Sequence, residues 1–85
     1  MRITYIEKNN FYYFIGLGNG DIVITDDKFK ILNLQSVFKN EIRKICVIEN
    51  NLYVLGTENK IAELMLLEND ESSRENSFRK NFIET

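Results

Sequence analysis

Residues 9–26, NNFYYFIGLGNGDIVITD, return in altered form at residues 50–66, NNLYVLGTENKIAELML. Each copy reads as a polar turn, an apolar strand, a Gly/Asn turn and a second apolar strand. An internal repeat constrains a fold strongly, because each copy must form the same local unit and find cover for the same apolar face. A shift of about 41 residues lays Arg2 on Arg43, Asn9-Asn10 on Asn50-Asn51 and Phe11-Tyr12 on Leu52-Tyr53. The same shift lays Ser36 on Ser77, Lys39-Asn40 on Lys80-Asn81 and Ile42 on Ile83. Between these blocks the register slips slightly, pairing Gly16 with Gly56, Asn19 with Asn59 and Ile22 with Ile61. Small insertions and deletions in turns are what repeats tolerate.

Taken in order, residues 2–8 carry Ile3, Tyr5 and Ile6 and predict a short strand. Asn9-Asn10 predicts a hairpin turn, since Asn tolerates left-handed backbone. Residues 11–17 are aromatic and β-branched and predict a strand buried on both faces. Residues 18–21, GNGD, are the strongest turn signal, residues 22–25 a third strand, and residues 26–28 a third turn. Residues 29–34 alternate apolar and polar as a half-exposed edge strand does, with Lys28 and Lys30 read as protection of that edge. Residues 35–41 are a polar connection with room for one helical turn around Val37 and Phe38. The pattern then restarts, with strands at 42–48, 52–56 and 61–67 and turns at 49–51 and 57–60. The tail, residues 68–85, opens on a polar run, ENDESSREN, without strand signal. Ser72 and Glu75 have capping-box spacing and Phe78 and Phe82 lie four apart, so residues 73–83 are read either as a short amphipathic helix or as a strand.

A period of about 40 residues with four short strands per unit is the signature of a β-propeller blade. The chain resembles the WD-repeat family. The likeness is carried by FIGLGNGDIVITD, where Asp26 stands at the Asp of the family's Trp-Asp ending, and by EIRKICVIENNLYVLGTENKI. It covers roughly residues 2–67, as one blade-like repeat at about 2–41 and a second at about 42–67. Thr25 stands where the family has Trp, no Gly-His pair precedes the first strand, and the second unit has lost the Asp. The hydrogen-bonded tetrad that pins such blades is therefore missing, and blade packing here rests on apolar contacts. The resemblance implies an all-β fold of two propeller-like blades with three to four antiparallel strands each. A small closed barrel or a plain antiparallel sheet gives a similar pattern. The second unit is read as short of its outer strand, because residues 70–75, DESSRE, suit a strand poorly.

Composition narrows the function classes. The chain has 85 residues, 44% hydrophobic and 28% charged, with net charge -2. That suits one small globular domain, and the lack of basic excess argues against binding nucleic acid through its phosphates. There is no His, Trp or Pro. Without His the commonest general base and zinc ligand are missing. Charges at the N-terminus are too closely spaced for the apolar core of a signal peptide, and no apolar run is long enough to span a bilayer. A lone Cys46 allows no internal disulfide and suggests a reducing, cytoplasmic setting.

No motif points to chemistry. The GLGNG segment lacks the Gly-Lys-Ser/Thr of a phosphate loop and reads as a hairpin turn. Asp21, Asp26 and Asp27 match no calcium-loop spacing and read as solvated turns. Cys46, between Ile45 and Val47, reads as a small core residue. The expectation is a non-catalytic interaction module without cofactor or metal. It would assemble with itself, three copies completing a six-bladed ring within the usual four to eight, or join a larger protein partner. It would bind neither nucleic acid nor membrane. The residues expected to meet a partner are Phe11, Tyr13, Phe29 and Ile31, with Phe78, Phe82 and Ile83 of the tail. The alternatives are a ligand-binding ring of oligomerised two-blade units, as in lectin-like propellers, and a compact inhibitor of a larger protein.

Overall fold

The computed structural model describes residues 2–67 and 77–83. It is all-β, and the described residues contain no helix. Strands β1 (Ile3–Lys8), β2 (Tyr13–Leu17), β3 (Asp21–Thr25) and β4 (Ile31–Ser36) form one antiparallel sheet in sequence order. Strands β5 (Lys44–Ile48), β6 (Asn51–Leu55), β7 (Ile61–Leu67) and β8 (Ser77–Ile83) form a second sheet in the same way. Both are meanders, the topology that short polar turns between apolar runs allow.

The turns explain where strand limits differ from those read in the sequence. The second strand begins at Tyr13 rather than Phe11. Asn9 takes the two residues before it into the turn, its Oδ1 accepting the amides of Phe11 (2.9 Å) and Tyr12 (2.8 Å). The fourth strand begins at Ile31 rather than Phe29. Asp26 Oδ1 accepts from the amides of Lys28 (2.9 Å) and Lys30 (2.8 Å), and Phe29 adopts φ 65° within that turn. Lys28 and Lys30 therefore flank a turn and not an edge strand. Residues 37–43 are an irregular linker that bends at residues 39–40 and has no helical turn, and the fifth strand begins at Lys44. The fourth place in the second sheet is filled by β8, paired along β7 from Ile61↔Ile83 to Leu67↔Ser77. The second sheet thus runs past Leu67 and has its outer strand. Residues 70–75, considered for that role, lie outside the described residues.

The sheets pack face to face around one core. In the first sheet the inward face holds Phe14, Ile22 and Ile24, and in the second Ile45, Leu52, Val54, Ala62 and Leu64. Each of these side chains larger than Ala62 contributes roughly 1.5–3 kcal/mol on full burial. The linker seals the seam, with Val37 and Ile42 both buried. Its backbone is tied to the β2–β3 turn, where the Gly20 carbonyl accepts from Val37 N–H (3.1 Å) and Phe38 N–H (3.0 Å), and the Leu17 carbonyl from Ile42 N–H (3.1 Å). Close approach is required here. A Cβ on Gly16 would lie 2.6 Å from Ile42 Cγ2, and one on Gly56 2.7 Å from Phe38 Cδ2. Phe38 thus joins the two sheets, its backbone tied to the first and its ring on the second.

The first strands of the two sheets lie side by side, the closest approach between the sheets. Their starts are bridged by Glu41, whose carboxylate meets Arg2 (3.3 Å) and Arg43 (3.9 Å). Their ends lead into two turns, at Asn9-Asn10 and Glu49-Asn50, that border one cleft. With starts together and ends together, β1 and β5 run parallel. The exposed Glu41 pairs add at most about 1 kcal/mol each, so this placement comes from the apolar core.

Candidate interaction surface

Antiparallel register fixes which side chains share a face, because directly paired residues point the same way. In the first sheet Glu7, Phe14, Ile24 and Asn33 pair across all four strands on the inner face. One residue on, Ile6, Ile15, Val23 and Leu34 form an equivalent row on the outer face. Beside it runs Lys8–Tyr13–Thr25–Ile31. An aliphatic row spanning a whole sheet is the pattern of a face meant to be covered. Here Ile6 is 51% exposed, Leu34 59%, Ile31 67% and Phe29 60%. Together these open side chains form a contiguous apolar patch, the kind of surface that is often functional. Charge on this face is limited to Lys8, at the end of its row, and Asp21, at the start of β3.

Both edge strands of this sheet carry a bulge. Thr4 is the extra residue in β1, between Ile3↔Leu17 and Tyr5↔Gly16. Leu32 is the extra residue in β4, between Ile24↔Asn33 and Thr25↔Ile31. Bulges twist an edge and discourage another strand from pairing with it. The first sheet thus has guarded edges and an open face.

Of the seven residues expected to meet a partner, three come together. Tyr13 stacks on Phe29 with ring centroids 4.5 Å apart, and Ile31 lies in the Tyr13 row. Phe29 reaches this face from the turn, through its positive φ. Phe11 lies elsewhere, exposed in the β1–β2 turn beside the cleft. On β8, Phe78 is at the register position of Leu66, Phe82 at that of Ala62 and Ile83 at that of Ile61. Sequence reading missed Ile6, Ile15 and Val23, and took Leu34 as a member of the edge strand 29–34. Residues 11–17 looked fully buried, but Phe14 and Gly16 face the core while Tyr13 and Ile15 stay half-exposed. The parity signal was present, but it could be used only once each turn's length was known.

The second sheet's outer face is mixed. Its rows are Lys44–Leu55–Ile61, Cys46–Tyr53–Glu63 and Ile48–Asn51–Met65. Ile48 is exposed, and Asn51 Nδ2 donates to Glu63 Oε2 (3.4 Å). Cys46 is exposed here and is not a core residue, because Ile45 and Val47 point inward and parity sends Cys46 out.

Two clefts lie at turns among the described residues. One, about 520 Å³, lies between the β1–β2 and β5–β6 turns and is lined by Asn9, Phe11, Val47 and Glu49 among others. The other, about 410 Å³, lies at the β6–β7 turn beside Arg43, Leu55 and Lys60. Among the described residues no three His, Cys, Asp or Glu side chains are placed to hold a metal. Asp21 and Asp26 do not cluster, since they lie at opposite ends of β3. Among the described residues no helix is long and apolar enough to cross a membrane. Compared with protein-family models, with curated proteins and with solved structures, the chain matches none.

Proposed function

We propose that the chain is a protein–protein interaction module, a partial WD-repeat-like propeller that acts as a scaffold subunit of a larger complex and not as an enzyme. The observation that carries this reading is the Ile6–Ile15–Val23–Leu34 row across the first sheet, exposed at Ile6 and Leu34 and half-buried at Ile15 and Val23. Such a surface gains most from a partner that removes it from water. The propeller form is supported by two successive four-stranded meanders whose first strands run parallel and adjacent, as radial repetition requires. The partner is a protein, since the open face offers aliphatic and aromatic contact with charge only at Lys8 and Asp21. A single exposed thiol at Cys46 fits a reducing setting such as the cytoplasm.

The test compares the chain with an Ile6→Lys/Leu34→Lys variant by affinity capture, mass spectrometry and light scattering. The reading expects wild type to form a defined complex that the variant loses. A 10 kDa monomer that captures nothing at micromolar concentration, with no binding of a hydrophobic dye, overturns it.

A further inference from the structure

We propose that the outer face of the first sheet docks the outer face of the second sheet of another copy of this chain, so that copies associate head to tail and close into a ring. This rests on the interaction-module reading and names its partner. Because β1 and β5 run parallel at the closest approach of two equally ordered meanders, a rotation about an axis along the strands carries the first sheet onto the second. Under that rotation the face of the first sheet that looks at the second becomes the face of the second that looks away. The inner face of sheet one and the outer face of sheet two are therefore counterparts. So are the outer face of sheet one and the inner face of sheet two.

The chemistry follows this correspondence. The inner face of sheet two is aliphatic, with rows Ile45–Val54–Ala62 and Val47–Leu52–Leu64. The outer face of sheet one is aliphatic in the same way, through Ile6, Ile15, Val23 and Leu34. The inner face of sheet one has a ring on its second strand, Phe14, and polar residues towards its edges, Glu7 and Asn33. The outer face of sheet two also has a ring on its second strand, Tyr53, paired with Cys46 and Glu63, with Ile48, Leu55, Ile61 and Met65 in the flanking rows. The interface inside the molecule thus joins an aliphatic face to a ring-centred face, and the two faces left open are one of each. Even the polar content corresponds. Gln35 Nε2 donates to Asn33 Oδ1 (2.7 Å) on the inner face of sheet one, as Asn51 does to Glu63 on the outer face of sheet two.

An interface between unlike faces is heterologous, and it closes only if the rotation closes. Propellers of four to eight sheets correspond to roughly two to four copies of a two-sheet chain. A self-complementary, two-fold contact between first-sheet faces is the competing arrangement, and mixing experiments separate the two.

One variant, Ile6→Lys/Leu34→Lys, blocks the first-sheet face. A second, Ile48→Lys/Tyr53→Lys, blocks the second-sheet face. All four positions point away from the core, and circular dichroism melts verify folding; if either double variant fails to fold, the single Leu34→Lys and Ile48→Lys chains replace them. Sedimentation equilibrium is expected to give a closed species of two to four copies for wild type and a monomer for each variant. An equimolar mixture of the two variants is expected to give a one-to-one dimer, each chain supplying the face the other lacks. A second-sheet variant that assembles as wild type does, or a mixture that stays monomeric, overturns the head-to-tail arrangement. A wild-type monomer that still captures a partner through the Ile6/Leu34 face overturns self-assembly and leaves the interaction-module reading standing. A wild-type monomer that captures nothing and binds no hydrophobic dye removes both.

Discussion

At Gly20 one absent methyl group decides whether the linker can lie against the first sheet. Its φ is 92°, and a Cβ would collide with the Phe38 carbonyl. Gly20→Ala is therefore expected to destabilise the chain by about 2 kcal/mol or more, from left-handed strain and loss of the linker contact together. A thermal melt showing wild-type stability would contradict this. Thr4 argues the other way. Among the described residues its buried Oγ1 has no hydrogen-bond partner. Thr4→Val keeps the shape and removes the stranded hydroxyl, so a gain of about 1 kcal/mol in urea denaturation is expected. At this scale the sequence was informative about residue type and silent about direction. Ile45, Cys46 and Val47 look alike as small apolar residues, yet alternation sends only Cys46 outward.

Among the elements, the β3–β4 turn shows how one side chain sets a strand boundary. Asp26 Oδ1 holds two amides, and its own amide donates to the Lys30 carbonyl (3.0 Å). Without that carboxylate, residues 29 and 30 would be free to extend the strand, as their alternation suggested. Asp26→Ala is expected to cost about 1–2 kcal/mol for the two lost hydrogen bonds. It should also loosen the Phe29–Tyr13 stack, read as faster hydrogen exchange at Lys28 and Lys30 in the variant. Unchanged exchange there would refute the role given to Asp26. β8 carries the opposite lesson. Residues 77–83 have helical spacing of Phe78 and Phe82, but β7 offers an unpaired edge of seven residues, and pairing with it decides the conformation. Tertiary hydrogen bonding outweighs a weak local preference.

For the whole molecule, the balance of forces at the proposed ring interface is testable through salt. The open face of the first sheet carries charge at Lys8 and Asp21, and the β5–β7 rows of the second at Lys44 and Glu63, where Glu63 already accepts from Asn51, so the contact is mainly apolar and screening should matter little. The association constant is expected to change less than about tenfold between low and molar sodium chloride, and to rise in sulfate, which strengthens apolar burial. Sedimentation across a salt series measures this; a steep loss of association with sodium chloride would show that charge pairs hold the copies together instead.

The repeat, the turn residues and the alternation of Ile, Val and aromatic side chains were enough to set an all-β chain of two successive meanders, because these are local properties of backbone and side chain. Strand β7 was legible to the residue, Ile61–Leu67. Tyr13, Phe29 and Ile31 were legible as surface candidates, though not as neighbours. The tertiary structure alone decided that β8 completes the second sheet, and that Phe38 and Ile42 close the seam over Gly56 and Gly16. It also decided that the row through Ile6 and Leu34 lies open. The reason is physical: alternation divides apolar residues between two faces, but which face is buried depends on where the other sheet comes to rest.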